Sequence, residues 1–164
     1  ITVTTDANKV KDFLNSPSEM MKVIITTYQS GNVVANAVEN TNFKARPFRT
    51  QGTYSKYNSI DDKIDDLHYY TTYIKFGIGR ATYDASQEIR NHHLTREEGV
   101  ALVNKYDGEF PNRYFSEVMS YLDIDEDYFM TKLTDKFRSP HLWGLDSSGK
   151  WKLRHNVSGT GLND

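Results

Sequence analysis

Lys75 and Arg80 are the residues best placed by type and spacing to do chemistry. They flank Gly77-Ile78-Gly79, a glycine bend at the start of a helical pattern. The first amides of a helix lack intrahelical partners, and the peptide dipoles favour negative charge there. Two cations beside such amides suit a phosphate or a carboxylate. The Gly-x-Gly follows no strand and lacks a third glycine, so it is not a dinucleotide fingerprint. The same spacing also describes a tight helix–helix turn with solvent-facing cations, and both readings stand at this level.

Other candidate groups are weaker. Ser148-Gly149-Lys150 lacks the frame of a phosphate loop. His92 and His93 are adjacent, so their side chains diverge on a helix, and no third metal ligand is evident. His68 falls beside a buried stripe, where a satisfied histidine is commoner than a catalytic one. Asp61, Asp62, Asp65 and Asp66 lack calcium-loop spacing and read as a solvated acidic face. No metal site is expected. The sequence has no cysteine, which removes thiolate ligands, disulfides and a cysteine nucleophile.

These groups need elements to hold them. Phe43 to Tyr57 has no helical period, is broken by Pro47 and Gly52, and alternates basic with aromatic residues. It reads either as an ordered functional loop or as an anchored surface connection. Ser59 to Lys75 follows as a helix, with Ser59 as N-cap and Ile60, Ile64, Leu67, Thr71 and Ile74 as one buried stripe. Arg80 to Asn91 forms the next helix, with Ala81, Ala85 and Ile89 inward. Thr95-Arg96-Glu97-Glu98 is a capping box that starts a helix to Tyr106, ended by Asp107-Gly108. After Pro111, Phe115, Val118, Met119 and Leu122 form an amphipathic set. Asp125 caps a last helix that buries Phe129, Met130, Leu133 and Phe137. Residues 142–143 and 151–153 can pair as a weak hairpin around Ser147-Ser148-Gly149.

Upstream, Asp6 caps a short helix using Val10, Phe13 and Leu14. Residues 23–28 read as a strand or extended arm, and residues 33–39 as another short helix. The expected fold is therefore mostly α: a compact domain of about five or six helices, a short N-terminal extended arm and a loose C-terminal tail. The divisions are an extension over 1–21, a helical domain over 22–143 and a polar, partly mobile tail over 144–164.

At 164 residues, 37% of them hydrophobic, the chain can bury a real core. Its 20 basic and 22 acidic side chains balance to a net charge of −2. There is no basic field for nucleic acid and no run long enough to span a membrane, so neither partner is expected. A cytoplasmic location is expected. The first residue is Ile1 rather than Met, which suggests a piece of a longer protein.

Several strings, taken whole, carry a resemblance. They are Arg49 to Tyr57, Ser59 to Asp65, His68 to Thr72, Lys75 to Thr82, Ile89-Arg90-Asn91, Leu94 to Gly99 and Lys105 to Pro111. Together, within about residues 22 to 143, they resemble the C-terminal part of the N-acetyl sugar amidotransferases. These belong to the PP-loop ATP pyrophosphatase superfamily and serve lipopolysaccharide and surface-glycan synthesis. The resemblance implies that ATP activates the acetamido carbonyl of a nucleotide-linked sugar. Ammonia from a glutaminase and synthase pair like that of histidine biosynthesis then displaces AMP, leaving an acetamidino group. The family's SGG-x-DS-type ATP loop is absent from these 164 residues. The chain then corresponds to the substrate-side half, with ATP and Mg bound mainly by an N-terminal PP-loop domain. This half alone is expected to hold no cofactor and to be inactive.

With that chemistry, Lys75 and Arg80 become the catalytic candidates, since preorganised cations stabilise charge on an adenylate and its pyrophosphate leaving group. Arg49, Tyr54 and Lys56 are candidates to hold the sugar nucleotide. Asp84 and Arg90 either orient these groups or pair with neighbours. The alternative is a non-catalytic module that docks the ammonia-supplying partner or a second protomer, through Tyr69, Tyr70 and Tyr73.

Overall fold

The computed structural model of the chain describes residues 40–162. The readings for residues 1–39, including the arm and the first short helices, lie outside the described residues. Five helices run from residue 65 to residue 137. They are α1 Asp65–Phe76, α2 Arg80–Arg90, α3 Arg96–Tyr106, α4 Phe115–Tyr121 and α5. The last is built from Glu126–Tyr128, a π-helical stretch Phe129–Leu133, and Thr134–Phe137. An antiparallel pair follows, β1 Trp143–Leu145 and β2 Trp151–Leu153, in the register Trp143↔Leu153. The chain is mostly α, and the short hairpin forms where the residues around Ser147-Ser148-Gly149 predict it.

The core gathers Leu67, Tyr70 and Ile74 of α1 with Phe115, Val118 and Met119 of α4 and Phe129 of α5. A row of rings runs through it. Tyr70 meets Phe110 at 5.2 Å, Phe110 meets Phe115 at 4.8 Å, and Phe115 meets Phe129 at 5.4 Å between centroids. Tilted and edge-on pairs at these distances add to the area term. Small residues bring α2 onto α3: a Cβ on Gly99 would lie 2.6 Å from Ile89 Cδ1. The capping box at Thr95 is present, with both reciprocal bonds formed.

Several details differ from expectation. α1 begins at Asp65, six positions after Ser59. Ser59 has φ of 53°, its carbonyl accepts a bond from Arg46, and its hydroxyl meets the Tyr69 hydroxyl. A residue fixed on both sides in left-handed geometry cannot open a helix. Ile60 is accordingly exposed. Asp66, expected on a solvated face, is 2% exposed, whereas His68 lies on the outer side of α1. Leu122 and Met130 are exposed rather than core. Within the π stretch of α5, Phe129 stays in the core and Met130, the next residue, faces out.

Tyr69 and Tyr70, two of the rings on which docking to a partner would rest, are buried within the chain itself. Tyr73 is half-buried, edge-on to Trp143 at 5.4 Å. Beyond the hairpin the polar tail stays bonded to it: Arg154 N–H donates to Leu142 O at 2.8 Å and Leu162 N–H to Leu153 O at 2.9 Å. No helix among the described residues is long and apolar enough to cross a membrane.

Candidate functional site

The glycine bend links α1 to α2. Gly77 has φ of 73° and ends α1, its N–H donating to Tyr73 O. Gly79 is extended and precedes α2. The amides that could have met a ligand are occupied from within. Asp107, just past α3, accepts from Gly79 N–H at 3.0 Å and from the Thr82 hydroxyl at 2.5 Å through Oδ2. Its Oδ1 accepts from Thr82 N–H at 3.2 Å. Only glycine fits at 79, because a Cβ there would lie 2.5 Å from Asp107 Oδ1. Burial pushes the Asp107 carboxyl up, and these bonds oppose the rise. The start of α2 is thus an anion site whose anion is the chain's own carboxylate. Beside these filled amides stand the bend's two cations.

Those cations differ in setting. Arg80 is largely buried. Its Nε donates to Asp84 Oδ1 at 2.9 Å, and its guanidinium lies 5.3 Å from the centroids of both Tyr69 and Tyr83. Asp84 Oδ2 accepts from the Thr53 hydroxyl at 2.6 Å and from Asn58 Nδ2 at 2.8 Å. One carboxylate therefore joins the loop before α1 to the first turn of α2. Burial raises the Asp84 carboxyl, and the Thr53 and Arg80 contacts counter it. Lys75 is exposed in the last turn of α1, its ammonium 5.2 Å from the Phe76 ring centroid.

The loop of residues 43–57 is ordered by a second clamp. Arg49 pairs with Glu109 through both carboxylate oxygens, at 2.6 Å and 2.5 Å, and lies over the Tyr106 ring at 4.5 Å. Its Nη1 also donates to Thr53 O at 3.1 Å, and Gly52 N–H donates to Glu109 Oε2 at 2.9 Å. Burial would raise Glu109, but Arg49 and the Gly52 amide hold its carboxyl below the ordinary value. Arg113 extends the clamp: its N–H donates to Gln51 Oε1 at 2.8 Å and its guanidinium stacks over Phe48 at 4.2 Å. Thr50 and Thr53 are fully buried beneath.

The structure therefore brings Arg80, Asp84 and the Arg49 loop into one network and fixes them. Tyr54 sits in the same region with its hydroxyl buried and without a hydrogen-bond partner among the described residues. Burial pushes its phenol up, with Glu88 and Asp84 adding to the shift. Lys56 and Arg90 are exposed on the loop and in the last turn of α2. Asp107, Glu109, Thr53 and Asn58 were not singled out as site residues. Asp107 and Glu109 bracket a Gly that reads simply as a helix stop, and no spacing signals that their partners lie far back in the chain.

Behind the bend lies a cleft of about 440 Å³. Gly77, Ile78 and Thr82 form one side, α3 and Asp107 another, and the β1–β2 hairpin with residues 155–157 the third. Trp143 and Trp151 both line it, with Lys152 and His155. The hairpin is tight against the bend: a Cβ on Gly77 would be 2.9 Å from Leu153 Cδ2. Sequence reading missed the cleft because its wall comes from a polar tail with little hydrophobic pattern. Two tryptophans around one turn were the available signal. Among the described residues no three His, Asp or Glu gather in a way that could hold a metal ion.

Comparison with known families matches residues 51–157 to a family described as LPS biosynthesis protein WbpG-like, C-terminal domain. The match includes Tyr54, Lys56, Lys75, Arg80, Asp84 and Arg90, and runs past residue 143 through the hairpin. Arg49 lies two positions before it. No curated protein matches the chain.

Proposed function

From the premise that this chain belongs to the WbpG-like C-terminal domain family of LPS biosynthesis proteins, we propose that it is the substrate-side domain of an ATP-dependent N-acetyl sugar amidotransferase. The reaction converts the acetamido group of a nucleotide-linked sugar to acetamidino. In it ATP supplies activation of the acetamido oxygen, which leaves with AMP when ammonia adds to the same carbon. A separate glutaminase partner supplies the ammonia, and a PP-loop domain holds the ATP. The setting is the cytoplasm, where ATP is available. A magnesium ion would accompany the ATP in that PP-loop domain.

This chain's own residues present and steady the sugar nucleotide. Lys75 meets developing negative charge from the solvent side of the bend. Arg80, oriented by Asp84 and by the faces of Tyr69 and Tyr83, supplies a second, fixed positive charge. A cation held before the reaction starts costs no reorganisation in the transition state. Arg49 and Asp84 act through geometry, Arg49 holding the loop that carries Tyr54 and Lys56 against Glu109 and Tyr106 and Asp84 holding it against α2. Arg90 and Lys56 extend the positive rim.

The observation that carries the reading is the position of the bend. Its cations lie within the family span, and Gly77 and Ile78 of the bend, though neither Lys75 nor Arg80, line the cleft. The test uses the complete enzyme with its ATP-binding half. Lys75→Ala, and separately Arg80→Lys, should each lower turnover at least tenfold, about 1.4 kcal/mol of transition-state stabilisation. Arg80→Lys keeps a charge opposite Asp84, so the urea midpoint should stay near the parent value. Turnover within twofold of the parent in both variants would remove the bend from the mechanism.

A further inference from the structure

We infer that the cleft between the glycine bend and the β1–β2 hairpin is a carbohydrate site, built to take the acetamido pyranose of a sugar phosphate. The substrate class rests on the reading above, but the assignment of this cleft rests on its own chemistry. At about 440 Å³ it has the size of a small-ligand pocket. Its lining combines two indoles and a phenol with a few polar groups, the mixture that binds sugars. The carbon-bound hydrogens of a pyranose face pack on an aromatic ring, and its hydroxyls and amide need hydrogen bonds at the edge.

The rings are held in place before any ligand arrives. Arg138 lies 5.5 Å from the centroids of both Trp143 and Trp151. Trp151 Nε1 donates to Asp135 Oδ1 at 2.9 Å, and Tyr73 braces Trp143 edge-on. Trp143 is only 4% exposed, yet its Nε1 has no acceptor among the described residues. A buried indole N–H without a partner is a cost that native structures rarely leave standing. The ring open to a sugar face is that of Trp151, 38% exposed, since Trp143 and its N–H are closed to solvent. Lys152 and His155, on the same wall, suit the anionic group attached to the sugar. Asp107 also lines the cleft, its oxygens turned to the amides and hydroxyl at the start of α2, while Lys152 brings the positive charge.

The chain's two tryptophans both line this cleft, so intrinsic emission reports on it directly. The chain is titrated with UDP-N-acetylglucosamine, N-acetylglucosamine 1-phosphate, N-acetylglucosamine and UDP. A saturable change in emission is expected with the first two, a weaker one with the neutral sugar, and none with UDP. Lys152→Ala combined with His155→Ala should weaken binding of the sugar phosphate at least tenfold. Lys132→Ala, on exposed α5, should leave it unchanged. No saturable response to any sugar probe up to about 10 mM, or an equal response to UDP, would overturn the assignment. So would normal affinity in the double variant. Sugar binding alongside normal turnover of Lys75→Ala and Arg80→Lys would retain this cleft and discard the catalytic reading of the bend. Lost turnover in those variants without sugar binding here would do the reverse.

Discussion

Removing the Asp107 carboxylate should loosen the joint between α1, α2 and α3 more than any surface change. Asp107→Ala deletes the acceptor for Gly79 N–H, Thr82 N–H and the Thr82 hydroxyl. A hydrogen bond to a charged group contributes about 1.5–3 kcal/mol. The three do not add fully, because Asp107 is half-buried and water can reach part of the vacated space. The helix start also loses a favourable negative charge, worth about 0.5 kcal/mol. A loss of about 3–4 kcal/mol follows, a large fraction of the roughly 5–15 kcal/mol that holds a domain. With a urea slope near ~2 kcal/mol/M, the unfolding midpoint should fall by about 1.5–2 M. Asp107→Asn keeps one acceptor oxygen and should cost about half as much. The assay is urea unfolding followed by circular dichroism. An Asp107→Ala midpoint within about 0.3 M of the parent would mean that the amides at the start of α2 are satisfied some other way, and the reasoning would fail.

Other expectations follow from the same geometry. Gly108→Ala should cost about 2–4 kcal/mol, because φ is 77° and the added Cβ would lie 2.4 Å from Tyr73 Cε1. Gly149→Ala shares the left-handed geometry but meets nothing within 4 Å, so its cost should stay near ~1 kcal/mol in the same unfolding assay. Glu109→Gln should destabilise at pH 7 by about 2 kcal/mol through the Arg49 clamp. Since the Glu109 carboxyl is held below its ordinary 4.5, its contribution is complete above that pH and is lost as pH falls through the lowered value. Parent and variant midpoints should therefore converge between pH 7 and pH 3, and a constant gap would contradict the clamp. Thr95→Ala should cost about 1 kcal/mol by removing the cap of α3, read as a lower urea midpoint.

Local chemistry alone determined much of this protein. The spacing of Leu67 and Ile74, the Thr95–Glu98 box, the glycine breaks at 77 and 79, and the turn at Ser148-Gly149 each act over a few residues. They fix helices, caps and a hairpin wherever the chain goes. The resemblance carried by strings such as Lys75 to Thr82 also needs no coordinates, and the family match includes those strings. The start of α1 was not legible, because Ser59 is claimed by Arg46 and Tyr69, partners brought to it by folding. The same holds for the bend. Its glycines and cations are visible in one dimension, but the anion filling its amides comes from Asp107, 28 positions away. The cleft is the furthest from sequence. Its walls come from α1, α3 and a polar hairpin, and no periodicity encodes the distance between segments that meet only after the core has formed.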